Sequence, residues 1–366
     1  MASGLTETVA QPSTKDATSG IANLKLTSEK SAVISEENGP AYPFYYPYFD
    51  PQEKFSPTEL FEFTDPGLRA DSTKPHLLAE GVTMKLISPY LGTELRGVQL
   101  SQLSTEGLDE LALFAAERKL VVLRDQDFKD IGTSRQIEIA RHFGPIQSNP
   151  TSGNVKGYPE FHIVYRDAQL NRREYLNSSR ANHTYWHSDG SYELQPPGTT
   201  IFFILEQPAY GGDTIFASQV EAYNRLSPEF KKRLEGLRAV HSSVPHVNFE
   251  RSRKRGGAMR RENIETEHPI VRQHPVTGEK ALFVNPGFTK RIVGFKAEES
   301  DYLLGFLFDH ITKGAHFQVR ASYEPVISFA GKDNRVTVHT ATPDYDNGAR
   351  RHAARLTPQA EVPISA

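Results

Sequence analysis

The chain carries His187, Ser188 and Asp189 in a row, and a further histidine, His339, 150 residues after Asp189. In an extended strand, residues two apart share a face. His187 and Asp189 can therefore reach one metal ion while Ser188 points away. Two neutral imidazoles and one hard carboxylate form a ligand set that suits Fe(II). Such a set takes three positions of an octahedral ion and leaves the opposite face for a co-substrate and O2. His339 must then come from another strand. The chain has no cysteine, so any metal is held by His, Asp or Glu, and no disulfide framework exists. A His-x-Asp triplet alone is weak, and its plain reading is a hydrogen-bonded surface or core histidine. Most of the 13 histidines have such readings. His142, His162, His310 and His316 sit among apolar or helical residues and read as packing or surface groups. His268 and His274 each precede proline and read as turn residues. His183 and His352 are close to the candidate site in sequence and read as groups that support the metal ligands or contact substrate.

An iron oxygenase of this kind needs two electrons. A 2-oxoacid supplies them by oxidative decarboxylation, chelating the ion through its 1-carboxylate and 2-keto oxygen. Its far carboxylate needs a cation, best a guanidinium fork. Beyond His339 stand Arg350, Arg351 and Arg355, near the turn-rich run Asp344-Tyr345-Asp346-Asn347-Gly348. The competing reading is a solvated basic surface paired with Asp344 and Asp346. Gly211-Gly212-Asp213-Thr214 reads as a tight turn entering a strand, and Thr214 can offer its hydroxyl to the same far carboxylate. A glycine pair alone indicates only a hairpin.

These residues need a scaffold that brings distant strands together. Residues 81–86 alternate like a strand, and residues 119–124 form a short buried one. Residues 104–119 read as a helix with Ser104 as its cap, and residues 134–143 as another. Residues 199–205 are a strong strand. Residues 217–237 read as a helix broken near Ser227-Pro228. Residues 281–284 are a strand before the turn Asn285-Pro286-Gly287, and residues 298–311 an amphipathic helix. Short strands follow at residues 317–320, 326–329 and 335–339. Many short strands with helices between them suit a mainly β fold with flanking helices (α+β), arranged as a double-stranded β-helix, or jelly roll. Residues 1–75 read as a disordered or extended N-terminal arm: polar to residue 40, then the aromatic, proline-rich stretch 41–50, which can lie across the domain surface or serve as a dimer contact. Residues 76–366 read as the catalytic domain.

A net charge of −3 on 366 residues gives no basic field, so nucleic acid is not an expected partner. No apolar run is long enough to span a membrane, and the N-terminus lacks an apolar signal core. The expected location is the cytosol, where Fe(II) stays reduced. A homo-oligomer, dimer or tetramer, is compatible with the pattern.

Jointly the motifs resemble the taurine/2-oxoglutarate dioxygenase family, in particular its fungal sulfonate and sulfate-ester dioxygenase-like members. The matching pieces, colinear over about residues 80–358, are residues 92–98, 122–126, 142–144, 186–189, 211–214, 283–289 and 333–339, with Arg351 and Arg355 beyond. The resemblance implies the double-stranded β-helix fold, with Fe(II), 2-oxoglutarate and O2. It implies His187, Asp189 and His339 as iron ligands, with no catalytic side chain beyond them. Thr214 and Arg351 would hold the distal carboxylate of 2-oxoglutarate, Arg355 the anionic group of a small organic substrate, and Phe288 would line the pocket. It implies oxidation of a substrate C–H with release of succinate and CO2, a sulfonate or sulfate ester being favoured. Departures concern the substrate side. Asn149 stands where sulfonate-binding relatives often have histidine. Lys332 replaces a tryptophan, and Gly190 replaces a bulkier residue and can widen the pocket. The His339–Arg351 spacing is one longer than in relatives, so Arg350 rivals Arg351. An amino acid or other carboxylate, hydroxylated, desaturated or cyclised, is the alternative substrate. A non-catalytic jelly-roll binding protein and a zinc hydrolase are more distant alternatives.

Overall fold

The computed structural model describes residues 39–50, 52–167, 184–244, 259–323, 329–345 and 349–366. Pro40–Ala366 form one compact unit. It opens with the hairpin β1 (Thr83–Leu86) and β2 (Thr93–Arg96), followed by α1 (Thr105–Arg118), β3 (Leu120–Leu123), α2 (Thr133–Arg141) and β4 (His162–Arg166). The middle contains β5 (Thr199–Glu206), β6 (Thr214–Ser218), α3 (Gln219–Asn224), α4 (Pro228–Leu234), β7 (Arg238–Ser242) and β8 (Glu265–Pro269). Next come β9 (Val271–Gln273), β10 (Lys280–Leu282), β11 (Thr289–Ile292) and α5 (Ala297–Lys313). The chain ends with β12 (Gln318–Ala321), β13 (Phe329–Asp333), β14 (Thr337–Ala341), β15 (Arg351–Leu356) and β16 (Ile364–Ser365).

The expected helices form where local chemistry allows them to start. Ser104 Oγ accepts from Gly107 N and opens α1; Ser227 accepts from Phe230 N and opens α4, with Pro228 at the first helical position. The break expected near Ser227-Pro228 therefore separates α3 from α4. Strand pairing gives a seven-stranded sheet in the order β1-β2-β3-β13-β5-β15-β4, and three-stranded sheets β12-β6-β14, β11-β7-β8 and β10-β9-β16. The result is a mixed α+β fold.

The central strands are buried on both faces, and their residues sort by the period of two. Val121 and Leu123 of β3 join Ile201, Phe203, Leu205, Ala354 and Leu356 in the core beneath α1 and α2. Leu120 and Val122 join Ile204, Phe216, Val319 and Ala353 in a second core, shared with the β12-β6-β14 sheet. Arg351, Ala353 and Arg355 alternate along β15, so both arginines fall on the face of Ala353.

Residues 40–75 pack against this body. Tyr45 is buried, and its hydroxyl lies 3.0 Å from Gln136 Oε1. Asp65 Oδ2 accepts from Arg335 Nη1 at 2.5 Å, and Gln195 exchanges hydrogen bonds with the backbone of Phe61. Of the strand expected at residues 326–329, residues 326–328 lie outside the described residues. The run after His339 is no solvated basic loop: Arg351–Leu356 is a central strand between β5 and β4. Its sequence Arg-His-Ala-Ala-Arg-Leu has little β propensity, so tertiary pairing overrides the local preference.

Candidate active site

The triad is assembled by one isolated backbone bridge. His187 N donates to His339 O at 3.0 Å and His339 N to His187 O at 2.9 Å. These two bonds place the imidazoles side by side, with ring centroids 4.3 Å apart. One ligand atom each from His187, Asp189 and His339 lies within 4.8 Å of the others. Asp189 sits on the turn after the bridge. Asn334 clamps that turn: its Oδ1 accepts from Asp189 N at 2.7 Å and its Nδ2 donates to Asp189 O at 2.8 Å. Ser188 is turned away and donates to Thr337 O at 2.8 Å.

Each of these three side chains is oriented by a neighbour. His187 Nδ1 lies 2.8 Å from Tyr185 O and must donate to it, which leaves the Nε2 lone pair for a metal. Phe216 stacks against the His339 ring at 22° and 5.7 Å. Lys332 reaches both other side chains of the triad, 2.5 Å from Asp189 Oδ2 and 2.9 Å from His339 Nδ1. Arg355 Nη1 lies 2.5 Å from Asp189 Oδ1. Burial alone would raise the Asp189 carboxyl, but Arg355 and Lys332 outweigh it and hold it well below the usual carboxylate range. Burial lowers His339 and brings Lys332 down to about 8. Burial thus favours a neutral His339 beside an ionised Asp189, and two imidazoles with one carboxylate are a donor set that fits a ferrous ion.

The other expected residues divide into two groups. Thr214 and Arg351 come together: Arg351 is buried, donates from Nε to Gly212 O at 2.8 Å and lies 5.7 Å from the Phe202 ring. Tyr323, which carried no signal in the sequence, donates its hydroxyl to Thr214 Oγ1 at 2.9 Å. Arg350 turns elsewhere and pairs with Glu206 at 2.9 Å. Phe288 is buried with its ring 5.9 Å from the His187 ring, beside Tyr192. Gly287 permits that approach: a Cβ there would stand 2.8 Å from His187 Cβ.

Asn149 uses its side-chain oxygen within its own turn, accepting from Thr151 N and Ser152 N. Gly190 has φ +53°, and a Cβ there would meet Gln147 at 3.1 Å and Pro197 at 3.2 Å, so turn geometry and packing account for the glycine. His352 is buried away from the triad, its Nε2 lying 2.9 Å from Tyr45 O. His183 lies outside the described residues. His162, read from sequence as a packing or surface group, instead contacts Arg355, with its Nδ1 2.5 Å from Nη2.

Residues 83–357 match the model of the taurine catabolism dioxygenase TauD, TfdA family. The alpha-ketoglutarate-dependent dioxygenase cnsM of Penicillium expansum is 48% identical over 90% of this chain and 92% of its own length. The alpha-ketoglutarate-dependent sulfonate dioxygenase of Saccharomyces cerevisiae is 42% identical, covering 88% of this chain and 79% of its own. The crystal structure of a taurine dioxygenase from Burkholderia xenovorans superposes with a TM-score of 0.62 at 30% identity, over 78% of this chain and 93% of that one. The chain belongs to the TauD/TfdA dioxygenase family and is an Fe(II)- and 2-oxoglutarate-dependent oxygenase (2-oxoglutarate being alpha-ketoglutarate).

Proposed function

We propose that His187, Asp189 and His339 hold the ferrous ion and that the enzyme oxidises a C–H bond of a small organic anion, a sulfonate or sulfate ester being favoured. The observation that carries this reading is the convergence of the triad with Arg355 2.5 Å from the same carboxylate. Bound there, Fe(II) with 2-oxoglutarate and O2 supplies the oxidation of an unactivated C–H, while 2-oxoglutarate leaves as succinate and CO2. Arg351 and Thr214 hold the distal carboxylate of 2-oxoglutarate, and Tyr323 orients the Thr214 hydroxyl. Arg351 is preferred to Arg350 because Arg350 is engaged with Glu206. Arg355 fixes the substrate's anionic end so that one C–H faces the metal. Phe288 and Tyr192 supply an apolar wall that excludes water.

A sulfonate is supported by the sulfonate dioxygenase named for the yeast relative. A carboxylate substrate, such as an amino acid, is the second reading. It is favoured by Asn149, which brings no second cation to the substrate side and whose side chain is used within its own turn.

A double-stranded β-helix is the finer description of the fold. It is supported by the alternation of β5, β13 and β15 of the large sheet with β6, β12 and β14 of the small one. Among the described residues no helix is long and apolar enough to cross a membrane; a cytosolic location, where Fe(II) stays reduced, belongs to the same reading. So does a homo-oligomer, supported by Tyr302 and Phe306 exposed on α5 and decided by sedimentation velocity.

The test is succinate formation by the Fe(II)-reconstituted enzyme with 2-oxoglutarate and O2, against panels of alkanesulfonates, alkyl sulfates and amino acids. Sulfite or sulfate release identifies the first class. Turnover confined to amino acids selects the second reading, and turnover without O2 overturns both.

A further inference from the structure

We propose that His162 is the positioning residue that sets the Arg355 guanidinium for the substrate's anionic group. The inference rests on the reading of Arg355 as the partner of that group. His162 on β4 and Arg355 on β15 stand directly opposite each other in the antiparallel register. The guanidinium is held at both tips: Nη1 lies 2.5 Å from Asp189 Oδ1 and Nη2 2.5 Å from His162 Nδ1. A guanidinium only donates. Nδ1 therefore accepts, the ring proton sits on Nε2, and the imidazole is neutral. Burial, then the Arg355 charge, depresses the imidazole in the same direction.

The two anchors have different duties. Asp189 belongs to the metal triad, so its charge is shared with the ion. His162 makes no other side-chain hydrogen bond among the described residues, so its acceptor serves Arg355 alone. Two acceptors on a planar fork define its plane, which one acceptor cannot do. Histidine also suits the task electrostatically. A carboxylate in its place would neutralise the guanidinium, whereas a neutral ring orients the fork and leaves its charge for an incoming oxyanion. The ligand class is a monoanion presenting two or three oxygens: a sulfonate, a sulfate ester or a carboxylate. Sequence alone hides this role, because His162 stands 193 residues from Arg355 and only the β4–β15 pairing joins them.

The test uses the full chain loaded with Mn(II), which does not turn over, and 2-oxoglutarate, titrated calorimetrically with hexyl sulfate. His162→Leu removes the acceptor, while His162→Asn keeps an amide oxygen near the place of Nδ1. Expected is a loss of about 10- to 100-fold in hexyl sulfate affinity for His162→Leu. Mn(II) and 2-oxoglutarate affinities should stay within about twofold of the parent protein, and His162→Asn should recover most of the loss. In the Fe(II) enzyme the change should fall on KM rather than kcat. Arg355→Gln is measured in parallel. If Arg355→Gln binds hexyl sulfate as the parent does, the reading of Arg355 fails and takes the inference with it. If Arg355→Gln loses affinity but His162→Leu does not, or if His162→Asn loses as much as His162→Leu, the inference alone fails. Crystal structures of the two His162 variants decide the matter even if hexyl sulfate does not bind. A guanidinium rotated in His162→Leu and retained in His162→Asn supports the role; one unmoved in His162→Leu overturns it.

Discussion

Two arginines adjacent in sequence have unrelated fates. Arg351 is buried beside Gly212 and Phe202, near the Tyr323–Thr214 hydrogen bond, whereas Arg350 pairs with Glu206. Arg351→Ala should therefore raise the KM for 2-oxoglutarate by about 10- to 100-fold, the worth of a lost bond to a charged group. Arg350→Ala should change it by less than about threefold, since a partly exposed ion pair contributes little. Initial rates of succinate formation against 2-oxoglutarate concentration measure both. Equal effects would show that the two side chains share the role, and a larger effect at Arg350 that the assignment is reversed. For the metal, loss of an orienting partner commonly costs about 10–100-fold in affinity. Loss of a ligand itself should cost more, so Asp189→Ala and His187→Ala are expected to abolish stoichiometric Fe(II) binding. Retention of a full equivalent of iron in either variant, measured anaerobically, would contradict the triad.

At the scale of elements, the site depends on a turn as much as on strands. The loop that joins β10 to β11 brings Gly287 against the His187–His339 bridge, with Gly287 N donating to Trp186 O at 3.1 Å. Gly287→Ala would place a methyl 2.8 Å from His187 Cβ, and either the bridge or the turn must shift. A strain of about 1–3 kcal/mol follows, and Fe(II) titration should show weaker binding along with a lower unfolding midpoint. An unchanged metal affinity would mean that the turn, not the histidine, gives way.

The β7–β8 pair sets a second expectation. His268 is buried on β8, its Nε2 2.9 Å from Glu193 O, and burial brings its pKa down to about 4. In the unfolded chain an imidazole titrates near about 6.5. The folded protein thus binds the proton more weakly, and acid favours the unfolded chain. His268 contributes no pH dependence above about 6.5, and stability falls as pH drops from there towards 4. The loss is of order 3 kcal/mol at most. In His268→Gln the dependence of the urea midpoint on pH between about 6.5 and 4 should be shallower. An identical slope would rule this histidine out as its source.

Across the whole molecule, an ion network ties Asp65 and Glu361 to the site. Arg335 bonds Asp333 and Asp65 and lies 3.3 Å from Glu361; Asp333 also receives His274 at 2.8 Å. Asp65 comes from the N-terminal segment and Glu361 from the C-terminal one. Asn334, between Asp333 and Arg335, is the clamp on Asp189. Burial would raise the Asp333 carboxyl, but Arg335 and then His274 hold it well below the carboxylate range. Its contribution is therefore full above the unfolded pKa of about 4 and is lost as pH falls through the folded value. Asp65→Ala should destabilise the fold by about 2 kcal/mol, read from the urea midpoint at neutral pH. A wild-type midpoint would show that residues 40–75 do not share in the cooperative unit.

The chemistry was legible in residue types: two histidines and a carboxylate, threonine and arginines in colinear motifs, and no cysteine to compete. The helices with serine caps and the apolar strands were legible as well, because caps and periodicity act over a few residues. Tertiary structure decided everything that depends on pairing between distant segments. It made Arg351–Leu356 a central strand against local propensity, separated Arg350 from Arg351, and tied the Asn149 side chain into its own turn. It brought Tyr323 to Thr214, Lys332 to Asp189 and His162 to Arg355. The physical reason is one of range. A cap or an alternating pattern is settled by neighbours in the chain, whereas the charge and orientation of a buried group are settled by whichever strand the sheet places beside it.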